Sequence, residues 1–141
     1  MASSRNETQI TWSAASSVTV SSATAVTSDA FTFNIEDWEG ELQVHVDNAG
    51  TPASGDVANI FIAYTTGDIL GDSGDDYATT EHAEWAMQLD TFSTNTPGED
   101  PARKTIPVRT GAKGFKVIAS CPQAATRNIV IRARVVTHRP Q

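Results

Sequence analysis

Hydrophobic and polar residues alternate with a period of two along much of this chain, most clearly at residues 126–136. One face of the strand predicted there is purely apolar and consists of Ile129, Ile131, Ala133 and Val135. The opposite face carries Arg132 and Arg134 between two valines. The pattern predicts a strand with one side in a core and a second side that stays wet or meets a partner.

Shorter segments repeat this alternation at residues 31–35, 42–46, 84–92, 103–109 and 115–121. Residues 58–64 are apolar on both faces, which is typical of a central sandwich strand or of one under an interface. Loops rich in Gly, Pro, Asp and Asn separate them, the longest at residues 65–80 and 93–101. Counting an N-terminal strand, there are eight candidate strands, and they do not alternate with helices. Residues 80–84 are predicted to form one helical turn, and residues 111–114 are predicted to form a hairpin-like turn. The sequence therefore predicts an all-β fold: an antiparallel β-sandwich, jelly-roll-like, with an extended N-terminal arm and two long loops. Pro107 should place its strand at a sheet edge or a bulge.

Two units are expected along the 141 residues: a Ser/Thr/Ala-rich segment at 1–28 and a sandwich domain at 29–141. A chain of this length holds a core without covalent staples. Ile10 and Trp12 are the large apolar residues of the first segment. Two interpretations stay open: an extended arm that Trp12 anchors to the body or to a neighbouring subunit, or the first edge strand of the sandwich.

Charge is segregated along the chain, although its formal net value is −7. All 17 acidic residues lie in residues 1–100, where Arg5 is the only base, and residues 101–141 hold the other nine bases and no acid. Either acidic and basic strands pair within one sandwich, or a basic side docks on an acidic protein surface. A nucleic-acid partner is disfavoured, because such proteins are usually basic overall.

Candidate chemistry is sparse. Asp68, Asp72, Asp75 and Asp76 share a loop but lack the EF-hand spacing, so a solvated loop is favoured over a Ca²⁺ site. The three histidines lack a zinc-type spacing, and the single Cys121 has the pattern of a buried side chain. No nucleophile elbow, phosphate loop or dinucleotide fingerprint occurs. We expect no enzyme activity, no catalytic residue, no cofactor and no metal.

Few features of the sequence indicate where the protein is located. One cysteine allows no intrachain disulfide and fits synthesis in a reducing compartment. No apolar run approaches the roughly 20 residues of a spanning helix. The N-terminus lacks the apolar stretch of a signal peptide, so no membrane or secretory role is expected.

Four features of the sequence are informative together: the arm at residues 2–28, the loop Gly-Asp-Ser-Gly-Asp-Asp-Tyr at 71–77, the stretch at 95–104, and Arg-Asn-Ile-Val-Ile-Arg-Ala-Arg at 127–134. With these features the overall build resembles the cement, or decoration, proteins of tailed and especially short-tailed bacteriophage capsids. The resemblance implies a non-enzymatic β domain on the virion exterior, made in the host cytoplasm. Such a protein clamps subunits of the major capsid protein and often self-associates as a homo-oligomer.

This resemblance and the basic last third together give a predicted partner interface: Trp12, Arg103, Lys104, Arg109, Arg127, Arg132 and Arg134. The alternative function is a carbohydrate- or receptor-binding module of a phage tail fibre or spike. For that function, loop aromatics such as Trp38, Tyr77 and Trp85 would stack on sugars.

Overall fold

A computed structural model describes residues 3–49, 53–79, 81–91, 102–123 and 127–140. These residues form ten strands and no helix. The strands are β1 (Ser3–Gln9), β2 (Val18–Val20), β3 (Thr24–Thr27), β4 (Phe31–Thr32), β5 (Glu39–Asn48), β6 (Val57–Thr65), β7 (Glu84–Asp90), β8 (Ala102–Pro107), β9 (Gly114–Cys121) and β10 (Ile129–Pro140). The predicted all-β class is confirmed. The predicted helical turn is an ordinary turn over residues 81–83, and the predicted loop at 93–101 lies outside the described residues.

Two five-stranded antiparallel sheets form the sandwich. In the first sheet the order is β1-β10-β5-β8, and β2 also pairs with β10. In the second sheet the order is β3-β9-β6-β7, and β4 also pairs with β9. β6 and β7 are consecutive strands that pair within one sheet. The chain changes sheet between β2 and β3, β4 and β5, β5 and β6, β7 and β8, β8 and β9, and β9 and β10. The turn at 111–114 therefore joins the two sheets, which corrects the predicted hairpin.

The central strand β10 explains the alternation from which the sequence argument began. It pairs with β5 from Ile129 opposite Asn48 to His138 opposite Glu39, and with β1 and β2 on its other side. Ile129, Ile131 and Val135 are almost fully buried, while Arg132 and Arg134 are exposed. The predicted division of faces is confirmed, and the strand continues four residues past its predicted end.

Residues 3–28 belong to the sandwich. β1 forms the edge of the first sheet along β10, and Ile10, Trp12 and Val20 lie in the core with at most 3% of their surface exposed. Hydrophobic burial explains this, because an indole ring is more stable inside a core than exposed to water on an arm. Trp12 is therefore a core residue and offers no exposed anchor to a neighbouring subunit.

Two apolar side chains depart from the predicted alternation. The register of β6 and β7 shifts between Ile60 and Phe61, leaving Ala86 as an extra residue, so Trp85 turns outward while Met87 stays buried. Ile35 is 99% exposed because β4 ends at Thr32 and the chain turns there. The Asp37 carboxylate holds that turn by accepting the Asn34 N–H at 2.8 Å.

Pro107 ends β8, which is an edge strand as predicted. An edge position tolerates the missing N–H, because no further strand is there to receive it. Among the described residues, no helix is long and apolar enough to cross a membrane.

Candidate functional site

The outer face of the first sheet carries three arginines around one histidine, and we call Arg103, Arg132, Arg134, His45 and Gln43 the arginine face. His45 on β5 lies opposite Arg132 on β10 and opposite Arg103 on β8. One step along, Gln43 lies opposite Arg134. Side chains opposite each other in an antiparallel pair are about 5 Å apart at Cβ, so the sheet register itself assembles this cluster.

His45 has defined hydrogen bonding within the cluster. The Gln43 amide nitrogen lies 3.0 Å from Thr105 Oγ1, and its Oε1 lies 3.0 Å from His45 Nε2. Since Gln43 donates to Thr105, its oxygen faces the ring and accepts the Nε2 proton, leaving Nδ1 as the free basic nitrogen. Partial burial lowers the pKa of His45 below its usual 6.5, and the positive charges of Arg103, Arg132 and Arg134 lower it further. Burial first and the arginines second therefore disfavour the protonated form of this imidazole.

Two small hollows lie on either side of Arg134. One, of about 280 Å³, is lined by Gln9, Gln43, His45, Arg132 and Arg134. The other, of about 250 Å³, is lined by Arg134 together with Arg5, Glu7, Glu41 and Thr105. The first hollow has no acidic lining residue among those the structure describes, so it is the part of the arginine face best suited to an anion.

Acidic residues neutralise only part of this face. Glu7 lies 3.6 Å from Arg134 and 3.3 Å from Arg5. Within the described ranges, Arg132 makes no ion pair with an acid. The arginine face therefore keeps a local excess of positive charge in a chain whose net charge is −7.

The other predicted interface residues lie elsewhere. Arg109 pairs with Glu84 at 2.7 Å and lies over the Tyr64 ring. Arg127 pairs with the buried Asp56 at 2.9 Å. Lys104 lies opposite Val44 and so belongs to the other side of β8, although it is exposed at this sheet edge. Of the seven predicted residues, the structure brings together Arg103, Arg132 and Arg134.

Sequence reasoning missed the parts of the site that come from β5 and β1. The alternation of β5 does place His45 on the outer side, but Gln43 and Gln9 look like ordinary surface residues. No local pattern in the sequence indicates that β10 lies between β1 and β5. A register prediction for these three strands would have found the cluster.

Ion pairs also explain the segregation of charge. Among the described residues, five bases from the last third of the chain pair with acids from the first part: Arg127 with Asp56, Arg139 with Asp37, Lys113 with Asp75, Arg109 with Glu84 and Arg134 with Glu7. Of these acids, the side chains of Asp37 and Asp56 are at most 5% exposed. The interpretation that acidic and basic segments neutralise each other within one sandwich therefore holds for these bases.

The acidic loop uses its carboxylates to hold its own backbone. Asp68 accepts N–H groups from residues 71, 72 and 73, and Asp76 accepts those of Ile69 and Leu70. The hydrogen bond from Ser73 is the main reason that the pKa of Asp68 is lowered. Across the described ranges, no group of three or more potential ligands converges as a metal site would require. The carboxylates act as loop caps.

Exposed aromatic side chains do not share one surface. Trp85, 61% exposed, lies on β7 of the second sheet. Trp38, 58% exposed, precedes β5 of the first sheet and packs near the His138 ring. Tyr77 is half-buried, and the Lys116 ammonium group lies over its ring, 4.5 Å from the ring centre. They do not form one continuous stacking platform.

No protein-family model and no curated protein matches the chain. Among solved structures, a protein of the Bacillus endospore appendages, a family of disulfide-linked pili, is similar with a TM-score of 0.37 and 13% identity, over 99% of this chain and 89% of that one. The crystal structure of FLHE is similar with a TM-score of 0.39 and 8% identity, over 99% and 97% of the two chains. At such low TM-scores neither likeness carries an argument about function.

Proposed function

We propose that this chain is a structural virion protein that binds the outside of a phage capsid and stabilises it by bridging subunits of the major capsid protein. The observation that carries the proposal is the arginine face: a positively charged patch on one broad side of a rigid sandwich. The interleaved order of the strands, which changes sheet at most connections, agrees with the jelly-roll-like build of the cement proteins that the sequence resembles.

Such a function needs no chemistry. A cement protein adds stability by touching two subunits at once, and contacts on one rigid lattice reinforce each other through effective concentration. Arg132 and Arg134 are successive outward-facing residues of β10, and the strand already holds their backbone in place. Docking therefore costs conformational entropy mainly in the two flexible arginine side chains. Arginine also binds carboxylates with two parallel hydrogen bonds, which favours an acidic protein surface as partner.

The test is the double variant Arg132→Ala with Arg134→Ala. We expect its occupancy on capsids of the phage that encodes the chain to fall, most strongly at low salt, because exposed interface charges act mainly on the association rate. We expect its melting temperature to change little. The Arg134 side chain is 55% exposed, and Arg132 is exposed and makes no ion pair within the described part of the chain.

The matched control is Arg109→Ala with Lys116→Ala, which removes the same charge from outside the arginine face. It should leave capsid occupancy nearly unchanged. If both double variants lose occupancy equally, the effect is one of net charge and the arginine face is not the docking surface. If the first variant loses stability but keeps its occupancy, the arginines serve the fold alone.

The second candidate is a carbohydrate- or receptor-binding module of a tail fibre or spike. The exposure of Trp38 and Trp85 favours it, since indole rings stack on sugars. Glycan binding that is lost in Trp38→Ala or Trp85→Ala and kept in the arginine double variant would select this function over capsid binding.

A further inference from the structure

The hollow between Arg132 and Arg134 has the shape and donors of a binding site for one anionic group. It measures about 280 Å³, and His45 and Gln43 complete its lining on the β5 side. Alternate side chains of one strand project to the same face roughly 7 Å apart, so the two guanidinium groups bracket the hollow. A carboxylate there accepts charge-assisted hydrogen bonds from either arginine.

His45 gives this hollow a second property. Its Nε2 proton is engaged by Gln43 Oε1 at 3.0 Å, so a further proton enters at Nδ1. In the free protein, Arg103 and Arg132 lie beside the ring from β8 and β10 and oppose that proton. A bound carboxylate reverses the local field, because an anion within about 4–6 Å favours the charged imidazolium.

We propose that this hollow is a carboxylate-binding subsite which takes up one proton from solvent at His45 when an acidic side chain of the docking partner enters it. The choice of partner rests on the proposed function. The proton uptake rests on the arrangement of His45 among the three arginines.

The charged groups that face His45 together determine how readily its ring takes up a proton. β10 contributes Arg132 and Arg134, β8 contributes Arg103, and β5 itself contributes Asp47, two residues along on the same face. Glu7 of β1 lies beyond Arg134 and pairs with it. In the register, Arg103 and Arg132 lie directly opposite His45, and Arg134 and Asp47 lie one outward step away in opposite directions. Glu7 and Glu41 lie two steps away, level with Val136.

The same arrangement favours a protein carboxylate over a nucleic-acid phosphate chain. Glu7 and Glu41 follow the arginines at one end of the face and Asp47 at the other, so a long uniform polyanion would run from cations onto carboxylates. A short acidic protein segment can contact the arginines without reaching these carboxylates.

The test follows the His45 ring resonances by NMR in the full chain, between pH 5.5 and 8. The probe is an acetylated, amidated peptide of three Asp-Gly repeats. We expect the His45 titration midpoint to move upward when peptide is added. A shift of half a pH unit corresponds to roughly threefold tighter peptide binding at the acidic end of the range. The His138 midpoint serves as the internal control, since it lies outside the hollow on the same strand face.

Two variants make the result decisive. His45→Gln should bind the peptide with no such pH dependence, and His138→Gln should keep it. Binding whose strength does not change with pH overturns the proton uptake. Failure to bind peptide while capsids are still bound overturns the subsite and leaves the proposed function intact.

The converse, peptide binding with proton uptake but no capsid binding, supports the subsite and rejects the proposed function. A single-stranded oligonucleotide that displaces the peptide and binds the hollow more tightly would overturn the preference for carboxylates.

Discussion

Replacing Arg127 with alanine should destabilise the free protein far more than replacing any arginine of the arginine face. The Arg127 guanidinium lies 2.9 Å from Asp56, whose side chain is only 5% exposed. Truncation leaves that carboxylate with the Ala53 N–H, at 2.8 Å, as its remaining donor among the described contacts. The backbone N–H of Arg127, which donates to Ser22 Oγ, is kept in the variant.

The magnitude follows from burial. Removing one partner of a fully buried ion pair costs about 3–5 kcal/mol, and exposed pairs contribute about 0.2–1 kcal/mol. Since the Arg127 side chain is 32% exposed, water screens part of the interaction. We therefore expect a loss of roughly 2–3 kcal/mol. For a domain of this size that corresponds to a fall in melting temperature of roughly 6–15 °C.

Urea unfolding at pH 7 gives the free energy of unfolding, and thermal unfolding gives the second measure. Arg132→Ala is the matched control: the same substitution on a neighbouring segment, at an exposed position, with an expected change within about 0.5 kcal/mol. An Arg127→Ala protein as stable as Arg132→Ala would refute the argument that this pair stabilises the fold. An altered slope against urea would instead indicate a change in the unfolded state.

Three further outcomes are expected. Because the pKa of folded His45 is below its usual 6.5, the unfolded chain binds more protons at mildly acidic pH. Stability should therefore fall as the pH drops through 6.5 towards the folded-state pKa, and His45→Gln should lessen that fall in urea titrations. Trp12→Ala should cost roughly 3–5 kcal/mol by the same measurement, whereas Trp85→Ala, on the surface, should cost far less. Gly114→Ala should destabilise strongly, because an added Cβ would collide with the Phe31 carbonyl of β4, while Gly111→Ala, with open space around it, should not; thermal unfolding of the two variants compares them directly.

The arginine face and the Asp56–Arg127 pair illustrate why function and stability need separate readouts here. Both use bases from the last third of the chain, and by composition they look alike. Only burial distinguishes them: Asp56 is enclosed by the fold, while Arg132 faces solvent. A basic residue in this chain is therefore informative about docking only after its internal partner is known.

The sequence by itself determined the fold class and the faces of the strands. A strand places alternate side chains on opposite sides, so the positions of Ile131 and Arg132 relative to a core follow from local pattern and hydrophobic burial alone. The edge position of Pro107 followed in the same way, from the donor that proline lacks.

What only the tertiary structure decided depends on which strands are neighbours. His45 meets Arg103 and Arg132 because β5 lies between β8 and β10, and these strands are far apart in sequence. Trp12 is buried because β1 and β2 pair with β10, at the opposite end of the chain. Trp85 is exposed because a bulge shifts the register by one residue, and a shift of one reverses every face beyond it. Strand pairing is a long-range choice set by the packing of the whole core, so no local pattern of residues contains it.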